Sequence, residues 1–180
     1  MVAPATAAAE LRAWDPVDAG QQGLRHALLA FLDARPEDAC SRSCVPGHLT
    51  ASALVVDAAA QHTLLTLHPR VGRWIQLGGH CEPGDASLAD AALREATEES
   101  GMAGLVLDPE PLHVDVHPIT CSLGLPTRHL DVRFLVRAPA GAVPRISAES
   151  DDLRWWPLDA LPGGTDTVPA MVAAARRRLS

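Results

Sequence analysis

Apolar residues recur along this chain with two different periods. Leu24, Leu28, Leu29 and Leu32 fall at helical spacing, so residues 21–34 read as an amphipathic helix that Pro36 ends. Residues 35–47 hold Pro, Asp, Ser and Gly and read as a loop. Two apolar runs, 50–56 and 63–68, flank a short polar and alanine stretch, which suits a β-hairpin or meander. A third short strand, 74–77, runs into Gly78-Gly79, and a helix follows over 88–100. Residues 112–119 and 130–136 alternate as strands, 153–156 is a last short strand, and 168–179 is a closing helix. Its Arg176, Arg177 and Arg178 sit at the C-terminal end, where positive charge complements the helix dipole and reads as a solvated helix end. Helices at both ends and in the middle, interleaved with some six short strands, predict an α/β or α+β sandwich, with the strand order left open. Residues 1–20, rich in Ala, Pro and Thr at their start, are expected to be a poorly ordered tail, and 21–180 a single domain that includes the first helix.

Composition narrows the function classes. The 180 residues suffice for one core, which must rest on Leu, Val and Ala because aromatic content is 3% and tyrosine is absent. A net charge of −7 argues against stable nucleic-acid binding, which draws on a basic surplus, yet leaves room for a small phosphorylated substrate met by a few arginines and a metal ion. Cys40, Cys44, Cys81 and Cys121 are scattered, without the paired spacing of a zinc site, so reduced thiols are expected. No stretch has the apolar length to span a bilayer, and the N-terminus lacks the pattern of a signal peptide, so the expected location is cytoplasmic.

The informative segment is Gly78-Gly79-His80-Cys81-Glu82-Pro83-Gly84-Asp85 and the helix after it. Ser87 can cap that helix, with Asp90 three residues on as a variant capping box, and Gly101 supplies a left-handed stop. Ala89, Leu93 and Ala96 form an apolar stripe, while Glu95, Glu98 and Glu99, at i, i+3 and i+4, gather three carboxylates within one turn. Like charges so placed destabilise a helix by roughly 0.2–0.5 kcal/mol per pair, and the C-terminal end of a helix disfavours anions. Arg94 offsets part of this by reaching Glu98 or Asp90. A hard divalent ion, Mg²⁺ or Mn²⁺, would offset the rest, and the Gly78-Gly79 backbone can come close enough to add carbonyl ligands. The alternative for the three acids is a solvated helix face, which is common.

This segment resembles the Nudix box: Gly, five residues, Glu, seven residues, then Arg-Glu-aliphatic-x-Glu-Glu-x-Gly-aliphatic. From Gly79 the chain supplies Arg94, Glu95, Ala96, Glu98, Glu99, Gly101 and Met102 in that pattern. Trp74 to His80 resembles the strand and loop leading into such a box, and Leu153 to Leu161 the late strand and short helix of such domains, so the resemblance spans roughly 49–179. Two departures stand out. Asp85 occupies the place of the first glutamate, and eight residues rather than seven separate it from Arg94. Asp85 or Glu82 serves as that acid, or Asp85 only shapes the turn.

The resemblance implies a Nudix-type α/β/α sandwich with a mixed central sheet, and hydrolysis of a phosphoanhydride in a nucleoside diphosphate linked to another group X. It implies Glu95, Glu98 and Glu99 as ligands of Mg²⁺ or Mn²⁺, the Gly79 carbonyl as an extra ligand, and Arg94 as the group holding the glutamates. The general base is one of these glutamates or a later loop acid, Glu149, Asp151 or Asp152, with Glu149 preferred. Arg70 and Arg73, before Trp74, are candidates for a phosphate contact. The eight histidines contain no zinc-protease motif and are given structural or solvent roles, and tryptophans 74, 155 and 156 packing roles. A Nudix-like domain that binds nucleotide or protein with little turnover is the alternative from another class. A homodimer is compatible with the family resemblance.

Overall fold

The computed structural model describes every residue except 121–123, 125 and 149. Strand β1 (His48–Val56) is buried along its whole length. It tolerates that because it carries Leu, Ala, Val and small hydroxyl residues and no long charged side chain. One edge of β1 pairs in parallel with β7 (Pro126–Arg137), from His48 opposite His129 to Val56 opposite Arg137. The other edge is shared: β4 (Leu77–His80) pairs antiparallel with Thr50–Ala53, and β2 (His62–His68) with the last two residues. Strands β3 (Arg73–Ile75) and β8 (Asp152–Pro157) extend the sheet from β2, and β5 (Val106–Leu107) and β6 (His113–Thr120) extend it from β7.

Helices cover both faces of this mixed sheet. Leu49, Ala51, Leu130, Val132 and Phe134 point toward the layer of α1 (Pro4–Ala13), α2 (Ala19–Ala34) and α3 (Leu88–Ser100). On the opposite face Leu54, Val56, Leu65 and Leu135 pack on Met171 and Val172 of α4 (Val168–Leu179). The expected α/β/α sandwich is the observed architecture, and α3 and α4 start and stop where their caps and periodicity predict. No helix among the described residues is long and apolar enough to cross a membrane. Cys40, Cys44 and Cys81 are free and buried, and Cys121 lies outside the described residues.

Several details differ from the sequence reading: the buried apolar face of α3 is Leu88, Ala91, Ala92 and Ala96 rather than Ala89, Leu93 and Ala96, and β7 begins four residues earlier than the alternation at 130–136. The third strand divides at Gln76, because β3 bonds to β2 while β4 bonds to β1. The two-residue β5 was not anticipated, being too short to show a period. The largest correction concerns the expected tail. Pro4–Ala13 is helical, and Ala7, Ala8 and Leu11 are buried. Val2 and Trp14 are each 2% exposed at its two ends. Alanine is the strongest helix former but carries little apolar area, so an alanine-built buried stripe is nearly silent in hydrophobic periodicity.

Helix α1 also completes α3. The Glu10 carboxylate accepts the Leu88 and Ala89 backbone N–H groups at 3.0 and 3.2 Å, two of the donors that a helix start leaves unpaired. Glu10→Ala is expected to lower unfolding stability by about 1–2 kcal/mol, the range of a lost cap, seen as a lower urea midpoint at unchanged slope. An unchanged midpoint would show that α1 does not support α3.

Candidate functional site

The acids of the box sit on a helix whose two ends are well determined. Ser87 Oγ accepts the Asp90 N–H at 3.0 Å, Glu10 takes the two preceding donors, and Gly101 at φ 63° ends the helix. Leu88, Ala91, Ala92 and Ala96 are buried beneath it. That register leaves Arg94, Glu95, Glu98 and Glu99 facing the Gly78-Gly79 end of β4 and solvent.

Arg94 is the hub of the site. Its Nε and Nη2 donate to the two oxygens of Asp85 at 3.0 and 3.1 Å, and Nη2 also donates to the His80 carbonyl at 2.9 Å. Its Nη1 meets Glu98 Oε2 at 3.0 Å and Glu95 Oε1 at 3.1 Å. Asp85 is buried and accepts the Glu82 N–H at 2.7 Å, whereas the Glu82 residue itself is exposed. Asp85 therefore shapes the turn, as one of the sequence alternatives had it, and its carboxylate also holds Arg94, a role the sequence did not suggest. Burial is the largest influence on both partners and opposes their charges. The pairing outweighs it, so Asp85 stays below the usual carboxylate range and Arg94 above the usual guanidinium value.

The two glycines fit tightly on opposite sides. Gly78 has φ 153°, and a methyl group there would lie 2.6 Å from Ser52 Cα of β1. A methyl on Gly79 would lie 2.4 Å from Glu95 Oε1, so this glycine makes the space in which the carboxylate rests. The Gly78 N–H donates to Glu99 Oε2 at 3.2 Å. Exposure grades across the acids: Glu99 is 8% exposed, while the Glu95 side chain is 12% and that of Glu98 60% exposed. Among the described residues, the glutamates are not a group of three whose ligand atoms lie within 4.8 Å of one another. Glu95 and Glu98 share Arg94 Nη1, while Glu99 takes the Gly78 N–H. The donor set nevertheless suits a hard divalent ion, being all oxygen and anionic, with the exposed Glu98 able to rotate inward.

Other candidates lie elsewhere. Arg73 pairs with Asp166 in the loop before α4, and Arg70 is an exposed turn residue. Asp152 is engaged by Arg154 at 2.6 Å, while Asp151 is exposed. Glu149 falls outside the described residues. Trp74 and Trp156 stack edge to face at 5.3 Å, in the packing role expected of them.

A second polar assembly escaped the sequence reading. Asp131, fully enclosed on the sheet face opposite α3, accepts Thr50 Oγ1 at 2.9 Å, Ser52 Oγ at 2.7 Å, Gln76 Nε2 at 3.3 Å and Arg133 Nε at 2.7 Å. Arg133 continues to Asp115 at 3.0 Å, and Asp115 to His117 at 2.8 Å. Beside this network lie His48, His80 and His129. Burial pushes His80 down to about 3 and His129 down to about 4, so all stand as neutral imidazoles near pH 7. The available signal was the alternation in β7, where His129, Asp131 and Arg133 interleave with Leu130, Val132 and Phe134.

With this geometry in view, the NUDIX domain family profile matches residues 46–179. Among solved structures, the chain is similar to the MutT protein from Methanosarcina mazei Go1, with TM-score 0.57, 20% identity, and 76% of this chain and 98% of that one covered. A C. elegans Ap4A hydrolase binary complex aligns with TM-score 0.53 and 18% identity, over 73% of this chain and 96% of that one. A UDP-X diphosphatase aligns with TM-score 0.55 and 15% identity, over 95% of this chain and 91% of that one. Identities this low speak for the shared fold.

Two outcomes are expected from this geometry. Gly78→Ala should cost about 2 kcal/mol or more, since a methyl meets β1 backbone at an unfavourable φ; a fully stable variant in urea unfolding would contradict the close approach. Asp85 is depressed in the folded state, so its contribution is present above the ordinary value of 3.8 and is lost as pH falls through the folded value. Asp85→Asn should therefore be less stable at pH 7 and show a shallower loss of stability on acidification, measured by unfolding across pH 2 to 7. An unchanged acid limb would remove Asp85 from the linkage.

Proposed function

The chain belongs to the Nudix family of hydrolases, and on that premise we propose that it hydrolyses a phosphoanhydride bond in a nucleoside diphosphate linked to X, with Mg²⁺ or Mn²⁺ held by Glu95, Glu98 and Glu99. The observation that carries the proposal is the Arg94 hub beside Gly79, where a helix turn of acids faces a strand end with no side chain to block it.

In this reading the chain's own residues supply position and charge. Arg94 keeps Glu95 and Glu98 turned toward the Gly79 side, and the Gly78 N–H keeps Glu99 there. The Gly79 carbonyl is the proposed backbone ligand. Divalent ions held there would neutralise the pyrophosphate and lower the cost of approach for an attacking water. A water oxygen forms a bond to one phosphorus while the bond from that phosphorus to the bridging oxygen breaks, and the water proton passes to a carboxylate. Glu98, the most exposed of the three, and Glu149 are the candidate acceptors. Removing the base or a ligand should leave the helix intact, because the caps and the buried alanine face hold it independently.

The names of similar proteins support this substrate class. One is an Ap4A hydrolase and another a UDP-X diphosphatase. The match to the UDP-X diphosphatase leaves only about 5% of this chain uncovered, fewer residues than α2 alone contains, so it reaches into the N-terminal helices. That supports a nucleoside diphosphate joined to a second group.

The test is phosphate or nucleotide release from a panel of dinucleoside polyphosphates, nucleotide sugars, ADP-ribose and nucleoside triphosphates, with and without Mg²⁺. Turnover of at least one compound, abolished by chelator, is expected. A ligand-dependent rise in melting temperature without any release would identify a binding domain instead. Glu98→Gln should lower kcat by about two to three orders of magnitude, since ion-mediated charge stabilisation is worth several kcal/mol and each 1.36 kcal/mol is tenfold. Gly79→Ala should lose activity comparably while melting near the parent. Parental rates in both variants would remove the acid turn from the reaction.

A further inference from the structure

Three strands remote in sequence bring imidazoles to one place. His48 opens β1 and stands beside His129 of the parallel strand β7, while His80 ends β4, whose register sets it opposite Thr50. Positions 48 and 50 share a face of β1, so all three rings rise from the same side of the sheet, the side opposite α3. Their ring centroids form a nearly equilateral triangle, 5.0 Å along each edge. One nitrogen from each ring lies within 4.8 Å of the other two, an arrangement found for no other such group among the described residues.

Protons complete the hydrogen-bonding pattern only in part: His80 can donate to His48, but a nitrogen of His129 is left over. His48 Nε2 and His80 Nε2 face each other at 3.1 Å, so at most one of them carries the proton between them. His48 Nδ1 lies 3.5 Å from the Cys44 carbonyl, which favours the proton on that nitrogen and a lone pair on Nε2. His129 Nε2 is buried with no hydrogen-bond partner. A cation among the three nitrogens would accept every lone pair at once. Nitrogens bound to tetrahedral zinc at 2.0–2.1 Å stand roughly 3.3 Å apart, close to the His48–His80 separation.

We propose that His48, His80 and His129 form a transition-metal site, selective for Zn²⁺ or a similar imidazole-binding ion, separate from the carboxylates of α3. The selectivity follows from ligand type: three neutral nitrogens and no carboxylate suit Zn²⁺, Ni²⁺ or Cu²⁺ and offer Mg²⁺ little. Three protein ligands leave a fourth position for solvent. The site joins β4 to β1 and β7 at the strand end whose His80 carbonyl supports Arg94. Its effect is to clip the approach strand of the acid turn to the centre of the sheet. Because these ligands converge only in the folded chain, the ion stabilises the fold by mass action.

The chain, freed of metal by chelator and dialysis, is titrated with Co²⁺ and then Zn²⁺ in excess Mg²⁺. One equivalent of Co²⁺ should bind with the visible bands of a nitrogen-ligated, low-coordinate ion, and Zn²⁺ should displace it. His80→Ala and His129→Ala should each weaken binding by about 100-fold or more, exceeding the loss typical of outer-sphere changes, while His62→Ala and Glu98→Gln should bind as the parent does. No stoichiometric binding, parental affinity in the two His variants, or displacement by Mg²⁺ would overturn the proposal. Should those variants fail to fold, the parent chain decides: Zn²⁺ should shift the imidazole nitrogen resonances of His48, His80 and His129 together, and shifts confined to other histidines would overturn it. None of these readouts depends on hydrolysis, so the two proposals fail separately.

Discussion

The Arg94 guanidinium is the interaction on which the remainder of the site depends. One planar cation binds Asp85 through two nitrogens, takes the His80 carbonyl, and reaches Glu95 and Glu98 with its third nitrogen. Arginine's fixed fork suits this task, and the compact ammonium of lysine would not serve so many directions. Without the guanidinium, three acids on one helical turn would repel one another at the helix end where the backbone dipole also disfavours them. With it, the acids become oriented groups around a strand end made of two glycines.

The fold contributes by bringing this turn to the edge of the sheet. Strand β4 is short and leaves its own partner β1 after four residues, and its glycines divide the labour: Gly78 lets the strand lie against Ser52, and Gly79 leaves room for Glu95. At this end of β1 the opposite face carries the polar side chains of His48, Thr50 and Ser52, while α4 covers Leu54 and Val56 farther along. Buried Asp131 is tolerable on that face because it accepts four hydrogen bonds, and Arg133 because it lies between the two carboxylates of Asp131 and Asp115, since a buried ion pair stripped of one member leaves an uncompensated charge.

Much of this was legible in the sequence because it is local. The caps of α3, Ser87 and Gly101, and the i, i+3, i+4 acids are read within a few residues, and the structure places them as read. Asp85 was visible as an irregularity, but its double use in the turn and on Arg94 requires three-dimensional geometry. The features that escaped were non-local or carried weak periodic signals. Helix α1 is built on alanines whose burial barely shows in hydropathy, and its Glu10 contacts residues some eighty positions later. The Asp131 network and the three histidines depend on β1 pairing in parallel with β7, a register that no periodicity encodes. Polar residues alternating with apolar ones in β7 hinted at a polar face, without indicating what it would meet.

The central claim is that the acid turn on α3 holds a divalent ion beside Gly79. Anomalous diffraction from crystals soaked in manganese tests it directly. The account predicts a peak about 2.2 Å from carboxylate oxygens of Glu95, Glu98 and Glu99, as for a hard ion on oxygen ligands, with Glu98 rotated inward. Density absent from that position, with the three side chains left as they stand on Arg94 and Gly78, would contradict it.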